Sequence, residues 1–83
     1  MTDSQLFDKL KEIISPYVQN QEAFKNIDNA TSFIDDLQIN SANLVDVVLD
    51  VEDVFDIEID NDSMEQMINV EASLAVIKSK LEL

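Results

Sequence analysis

The 83-residue sequence contains no cysteine, no histidine and no glycine, a single proline, and only five basic residues against 18 Asp and Glu. The missing cysteine rules out disulfides, and without histidine as well the usual zinc sites are excluded. The commonest general base is also lacking, so a chain that catalyses a reaction by itself is not the expected reading. Any thiol chemistry must come from a group added to the protein. The lysines are Lys9, Lys11, Lys25, Lys78 and Lys80, so residues 26–77 hold no cation and the formal net charge is −13. Such a surface repels nucleic acid and anionic lipid. The opening stretch MTDSQLFDKLKEII lacks the apolar core of a signal peptide, and no later run is long enough to span a bilayer. A cytoplasmic monomer with no nucleic-acid binding and no membrane insertion is expected.

The apolar fraction is 46% and is arranged periodically, which favours a folded domain over a solvated acidic tail. Residues 1–83 are expected to form one domain near the lower size limit for an unstapled core. Crowded carboxylates repel one another, so its melting temperature should rise with salt or magnesium. Leu6, Leu10, Ile13, Ile14 and Tyr17 share one face of a first helix, with Thr2 or Asp3 as cap. Pro16 should end or bend it near Ile14 or Ser15. From Gln19 to Ile39 a long connection is pinned by Phe24, Ile27, Phe33, Ile34 and Leu37. With no glycine, its turns should fall to Asn and Asp.

A second helix over residues 41–55 carries Leu44, Val47, Val48, Val51 and Phe55 on one face, a pattern that outweighs the low helix propensity of its five valines. FDIEID then alternates like a strand but has no partner of similar quality, so it reads as an extended loop. Asp60, Asn61 or Asp62 can cap a short helix over residues 63–67, and Asn69 a last one presenting Val70, Leu74, Ile77 and Leu81. The expected fold is all-α: a small four-helix bundle of three main helices plus one short one, with a long first loop. Asp56, Glu58, Asp60 and Asp62 invite a calcium reading, but Asn61 and Met67 stand where an EF-hand loop needs Gly and Glu. No metal site is expected.

Ser41 follows Asn40, a good helix cap, and so falls in a first helical turn, where free N–H groups and the helix dipole favour an attached phosphate. A serine there is ordinarily only a cap. Downstream, Asp46, Asp50 and Asp53 repeat at i, i+4 and i+7 with no cation between them, a like-charge stripe that weakens an isolated helix. A stripe that costs stability points to a basic partner surface and to fast, salt-sensitive association.

FIDDLQINSANLVDVVLDVEDVFDIEI resembles acyl carrier proteins, whose usual form is F, two residues, D, L, then G, any residue, D, S, L, followed by an acidic helix ending in EDEF and an IEI-like loop. Phe33, Asp36, Leu37, Ser41, Val45, Asp46, Glu52, Phe55, Ile59 and Val70 fall where that pattern has similar residues. The resemblance implies a 4'-phosphopantetheine arm on Ser41, transferred from coenzyme A by a phosphopantetheinyl transferase, whose thiol holds acyl groups as thioesters. It implies partner contacts at Ala42, Asn43, Val45, Asp46, Leu49, Asp50, Glu52 and Asp53. The partners would be a ketosynthase, an acyltransferase or acyl ligase, and other enzymes of a fatty acid, polyketide or polyene-type pathway. Phe33, Ile34, Leu44, Val48, Val51, Ile59, Met64, Met67 and Leu74, core residues on their own pattern, would by the same resemblance also line a pocket for the acyl chain, with methionines packing adaptably around it. The familiar DSL reads NSA here, with Asn40 and Ala42 in place of Asp and Leu, which implies altered partner preference. A carrier of aminoacyl or other cargo, or an acidic interaction domain with no prosthetic group, are the alternatives.

Overall fold

The computed structural model describes residues 2–82 as five α-helices and one 3₁₀ turn, with no β-strand among the described residues. Helix α1 (Asp3–Ile14) begins in a reciprocal cap. The Gln5 N–H donates to Thr2 Oγ1 at 3.2 Å and the Thr2 N–H donates to Gln5 Oε1 at 2.9 Å, so two of the first-turn donors are satisfied. Its buried face is Leu6, Leu10, Ile13 and Ile14, as the spacing predicts. Pro16 turns Ser15–Tyr17 into the 3₁₀ turn, because the proline ring offers no N–H to the α-helical ladder.

The connection to the next long helix contains a short helix, α2 (Gln21–Lys25), absent from the sequence reading because five residues are too few to display a period. Asn20 caps it by accepting from the Ala23 N–H at 3.1 Å. The remainder is fastened by backbone hydrogen bonds. Phe33 N–H donates to the Ile68 carbonyl, Val70 N–H to Thr31 and Glu71 N–H to Asn29, so the loop lies along the start of the last helix. Phe33, Leu37 and also Ile39 are buried, but Ile34 is 48% exposed and anchors nothing. The loop folds on itself there, with the Leu37 N–H returning to Ser32 and the Ile39 N–H to Phe33, and Ser32 N–H donating to Asp36 Oδ2 at 2.7 Å. Asn and Asp do not make every turn. Within the connection it is Gln38 (φ 57°) that takes a left-handed conformation, as do Asp56 and Glu82 (φ 61°) farther along the chain, at a steric cost that a glycine would avoid.

Helix α3 (Ser41–Phe55) buries Val47, Val48, Val51 and Phe55. It ends where the Asp56 and Ile57 N–H groups both return to the Glu52 carbonyl. Residues 57–60 then run as a loop without a pairing strand. Helix α4 (Asn61–Gln66) starts two residues earlier than the pattern indicates, because Asp60 is the cap in use. Helix α5 (Val70–Leu81) is capped by Asn69, whose Oδ1 accepts from the Ala72 N–H at 2.8 Å. The result is the expected small helical bundle with one extra short helix. α1 packs on α3 and α5, and α4 on α5. Despite the charge, the radius of gyration is 11.6 Å, close to the roughly 12 Å of a well-packed chain of this length. Leu6, Leu10, Ile14, Phe33, Leu37, Val51 and Ile77 form the centre of the main core, and Val48, Met67 and Val76 make a second, smaller cluster.

Candidate functional site

Ser41 is exposed and opens α3. Asn40 sets the turn before it: its Oδ1 accepts from the Ala42 N–H at 2.9 Å and its carbonyl from the Asn43 N–H at 2.8 Å. No acidic side chain occupies the first turn of the helix, so the partial positive charge of the dipole is not cancelled locally. Beside Ser41 lies a cavity of about 210 Å³ between α3 and α4. Its walls are apolar, and Ser41 and Glu65 are the polar residues on its lining.

Of the side chains expected to line an acyl pocket, the structure gathers Phe33, Leu44, Val48, Met64 and Met67 around this cavity. The other four lie elsewhere. Ile34 is on the surface because its loop turns it away from the buried Phe33 and Leu37. Val51 sits one turn farther along α3, sealed in the main core. Ile59 is half-buried and packs where the two clusters meet. Leu74 faces α1 across a separate groove with Phe7 and Asp3. In their place Val45, Val47, Glu65 and Ile68 complete the lining. Val47 was readable from the buried stripe of α3, but Glu65 and Ile68 come near Ser41 only through the placement of α4.

The residues expected to meet partners divide in the same way. Ala42, Val45, Asp46, Leu49, Asp50 and Asp53 are exposed, Asn43 half-exposed, and Val45 and Leu49 form an apolar strip one turn apart on α3. Two of the acids already have work inside the fold. Asp50 Oδ2 accepts from the Tyr17 hydroxyl at 2.8 Å, tying the 3₁₀ turn to α3. That bond, then burial and the charges of Asp50 and Asp46, pushes the Tyr17 hydroxyl above its ordinary pKa. Glu52 is half-buried and its Oε2 accepts from the Ile59 N–H at 2.7 Å, so it shapes the loop after α3 rather than facing outward. Among the described residues the ion pairs are Lys78 with Asp3 and Lys80 with Asp60, and neither reaches α3. Lys80 and Ser63 together hold the Asp60 carboxyl well below the usual carboxylate range. The described acids form no metal-ligating cluster, and no described helix is long and apolar enough to cross a membrane.

No protein-family model matches the sequence. Curated proteins do match. An acyl carrier protein of Desulforapulum autotrophicum is 38% identical over 72 residues, covering 87% of this chain and 92% of the relative. One of Buchnera aphidicola subsp. Schizaphis graminum is 38% identical over 72 residues, with 87% and 89% covered. One of Petrotoga mobilis is 34% identical over 83 residues, with 100% and 95% covered. The chain belongs to the acyl carrier protein family. It is a carrier of acyl groups and not an enzyme. Acyl carrier proteins bear a covalently attached 4'-phosphopantetheine. The residues present fit such a group: the helix start has an exposed hydroxyl, no neighbouring carboxylate in its turn, and an apolar cavity beside it.

Proposed function

We propose that Ser41 Oγ is the attachment point of the 4'-phosphopantetheine arm and that the cavity between α3 and α4 receives part of the acyl chain. The observation that carries this reading is the position of an exposed hydroxyl both in the first turn of α3 and on the rim of an apolar cavity. The arm supplies a thiol to a chain that has none, and that thiol holds the acyl group as a thioester. The chain's own part is to present the hydroxyl, to favour the phosphodiester through the helix dipole, and to keep the cargo from water with Leu44, Val48, Met64 and Met67. With no histidine near Ser41, the proton acceptor and metal for attachment come from the phosphopantetheinyl transferase.

The exposed strip of Val45 and Leu49, flanked by Asp46 and Asp53, is the surface on which the transferase and the pathway enzymes would dock. A partner with lysine or arginine around a shallow apolar contact complements it. Such partners belong to fatty acid, polyketide or polyene-type synthesis: a ketosynthase, and an acyltransferase or acyl ligase. Intact mass after incubation with coenzyme A and a promiscuous transferase tests the assignment. The wild-type protein should gain one phosphopantetheine and Ser41→Ala none; a gain by the alanine variant, or none by the wild type, overturns it.

A further inference from the structure

The interior of the bundle holds a hydroxyl with nothing to bind. Ser73 is fully enclosed, 0% exposed, and its Oγ has no hydrogen-bond partner, the one such side-chain atom found among the described residues. Burying an unpaired hydroxyl carries a desolvation penalty, and native folds keep few of them. Alanine would serve the helix better at this position, both in propensity and by removing the unpaired group.

The place of Ser73 relates it to the cavity. It lies on α5 three residues before Val76, on the same face of the helix. Val76 packs with Val48 and Met67 in the smaller apolar cluster, and Met64 rests against them. Val48, Met67 and Met64 are also walls of the cavity beside Ser41. The methionine-rich wall of that cavity is thus packed against Val76, on the face of α5 that also carries the orphan hydroxyl. Unbranched methionine side chains are the ones that move aside at least cost.

We infer that an acyl chain entering past Ser41 parts this wall and places an oxygen of its own within reach of Ser73, whose O–H donates to it. The carrier is then matched to acyl groups bearing an oxo or hydroxyl group along the chain, in preference to saturated ones. This rests on attachment at Ser41. The rival role for Ser73 is a bond back to the Asn69 carbonyl, which already accepts the Ser73 N–H at 3.0 Å. In that case Ser73 would treat every cargo alike.

The test uses the full chain loaded by the transferase from octanoyl coenzyme A and from its 3-oxo, 5-oxo and 7-oxo counterparts, in wild type and Ser73→Ala, with loading verified by intact mass. The folding equilibrium constant of each species is read from urea unfolding, and the oxo-to-saturated ratio is compared between the two proteins. At least one oxo chain should show a ratio roughly fivefold higher in wild type than in Ser73→Ala, the value of one ordinary hydrogen bond. Ratios equal in the two proteins across the whole series overturn the inference while leaving attachment at Ser41 intact. Failure to gain any acyl mass removes both.

Discussion

The main core and the small cluster beside the cavity are built from similar apolar side chains, yet they are packed for different ends. In the main core Leu6, Leu10, Ile14, Leu37 and Val51 come from α1, the long loop and α3, and interlock with essentially no exposure. The small cluster joins Val48, Met67 and Val76, with Ile59 and Met64 against them, and borders a cavity on one side; the unpaired hydroxyl of Ser73 lies one turn before Val76 on α5. One region has many neighbours per side chain and is costly to disturb; the other already has empty space into which its neighbours can relax. If the cavity receives the acyl chain, as proposed, the carrier needs both: a core that keeps it folded and a region that can yield to a guest.

Truncation separates the two regions most sharply. Leu10→Ala should cost about 3 kcal/mol in urea unfolding, for loaded and unloaded protein alike, since the main core has no room to repack. Met67→Ala should cost less, about 2 kcal/mol, and an attached acyl chain should recover part of that loss by filling the enlarged space. Equal costs for the two variants, with no recovery on acylation, would erase the distinction.

The same contrast between committed and uncommitted groups runs through the backbone and the charges. Gln38 holds a left-handed turn just before the Ser41 helix, a strained link rather than a packed one. Gln38→Gly should therefore stabilise the protein by up to about 1 kcal/mol, the relief of the steric cost exceeding the added freedom of the unfolded chain. On α3, Asp50 and Glu52 are engaged with Tyr17 and Ile59, whereas Asp46 and Asp53 form no ion pair among the described residues. Replacing Asp46 and Asp53 with Asn should raise stability by only about 0.5 kcal/mol together, an effect that fades with added salt, while slowing transferase loading at low ionic strength. Unchanged loading would detach the acidic stripe from partner recognition. The smallest effect concerns Tyr17. Because its hydroxyl titrates above the ordinary value, its bond to Asp50 contributes stability below about pH 10 that is lost as pH rises through the folded-state pKa. Tyr17→Phe should flatten that part of the alkaline unfolding curve. Asp60 has the opposite sign: its carboxyl is depressed, so its contribution is present above about pH 4 and lost on acidification.

Much of this was legible in the chain. The stripes of α1, α3 and α5 and the caps Asn40 and Asn69 are local features, since a helix period and a cap depend on residues within one or two turns of each other. Helix α2 was not legible, being too short to repeat, and Gln38 carries no composition signal for a left-handed turn. Ile34 and Ile39 show the limit most simply: two isoleucines in one loop, the first on the surface and the second buried.

By itself the sequence determined that this chain is helical and acidic, that Ser41 begins an amphipathic helix, and that no sulfur of its own is available for thioester chemistry. Only the tertiary structure decided that Val51 and Leu74 belong to the main core while Glu65 and Ile68 border the cavity, that Tyr17 claims Asp50 from 33 residues away, and that the Ser73 hydroxyl has no partner among the described residues. The physical reason is that periodicity assigns a residue to a face of its own helix, but what that face meets depends on how separate helices and loops pack, and that is a property of no single segment.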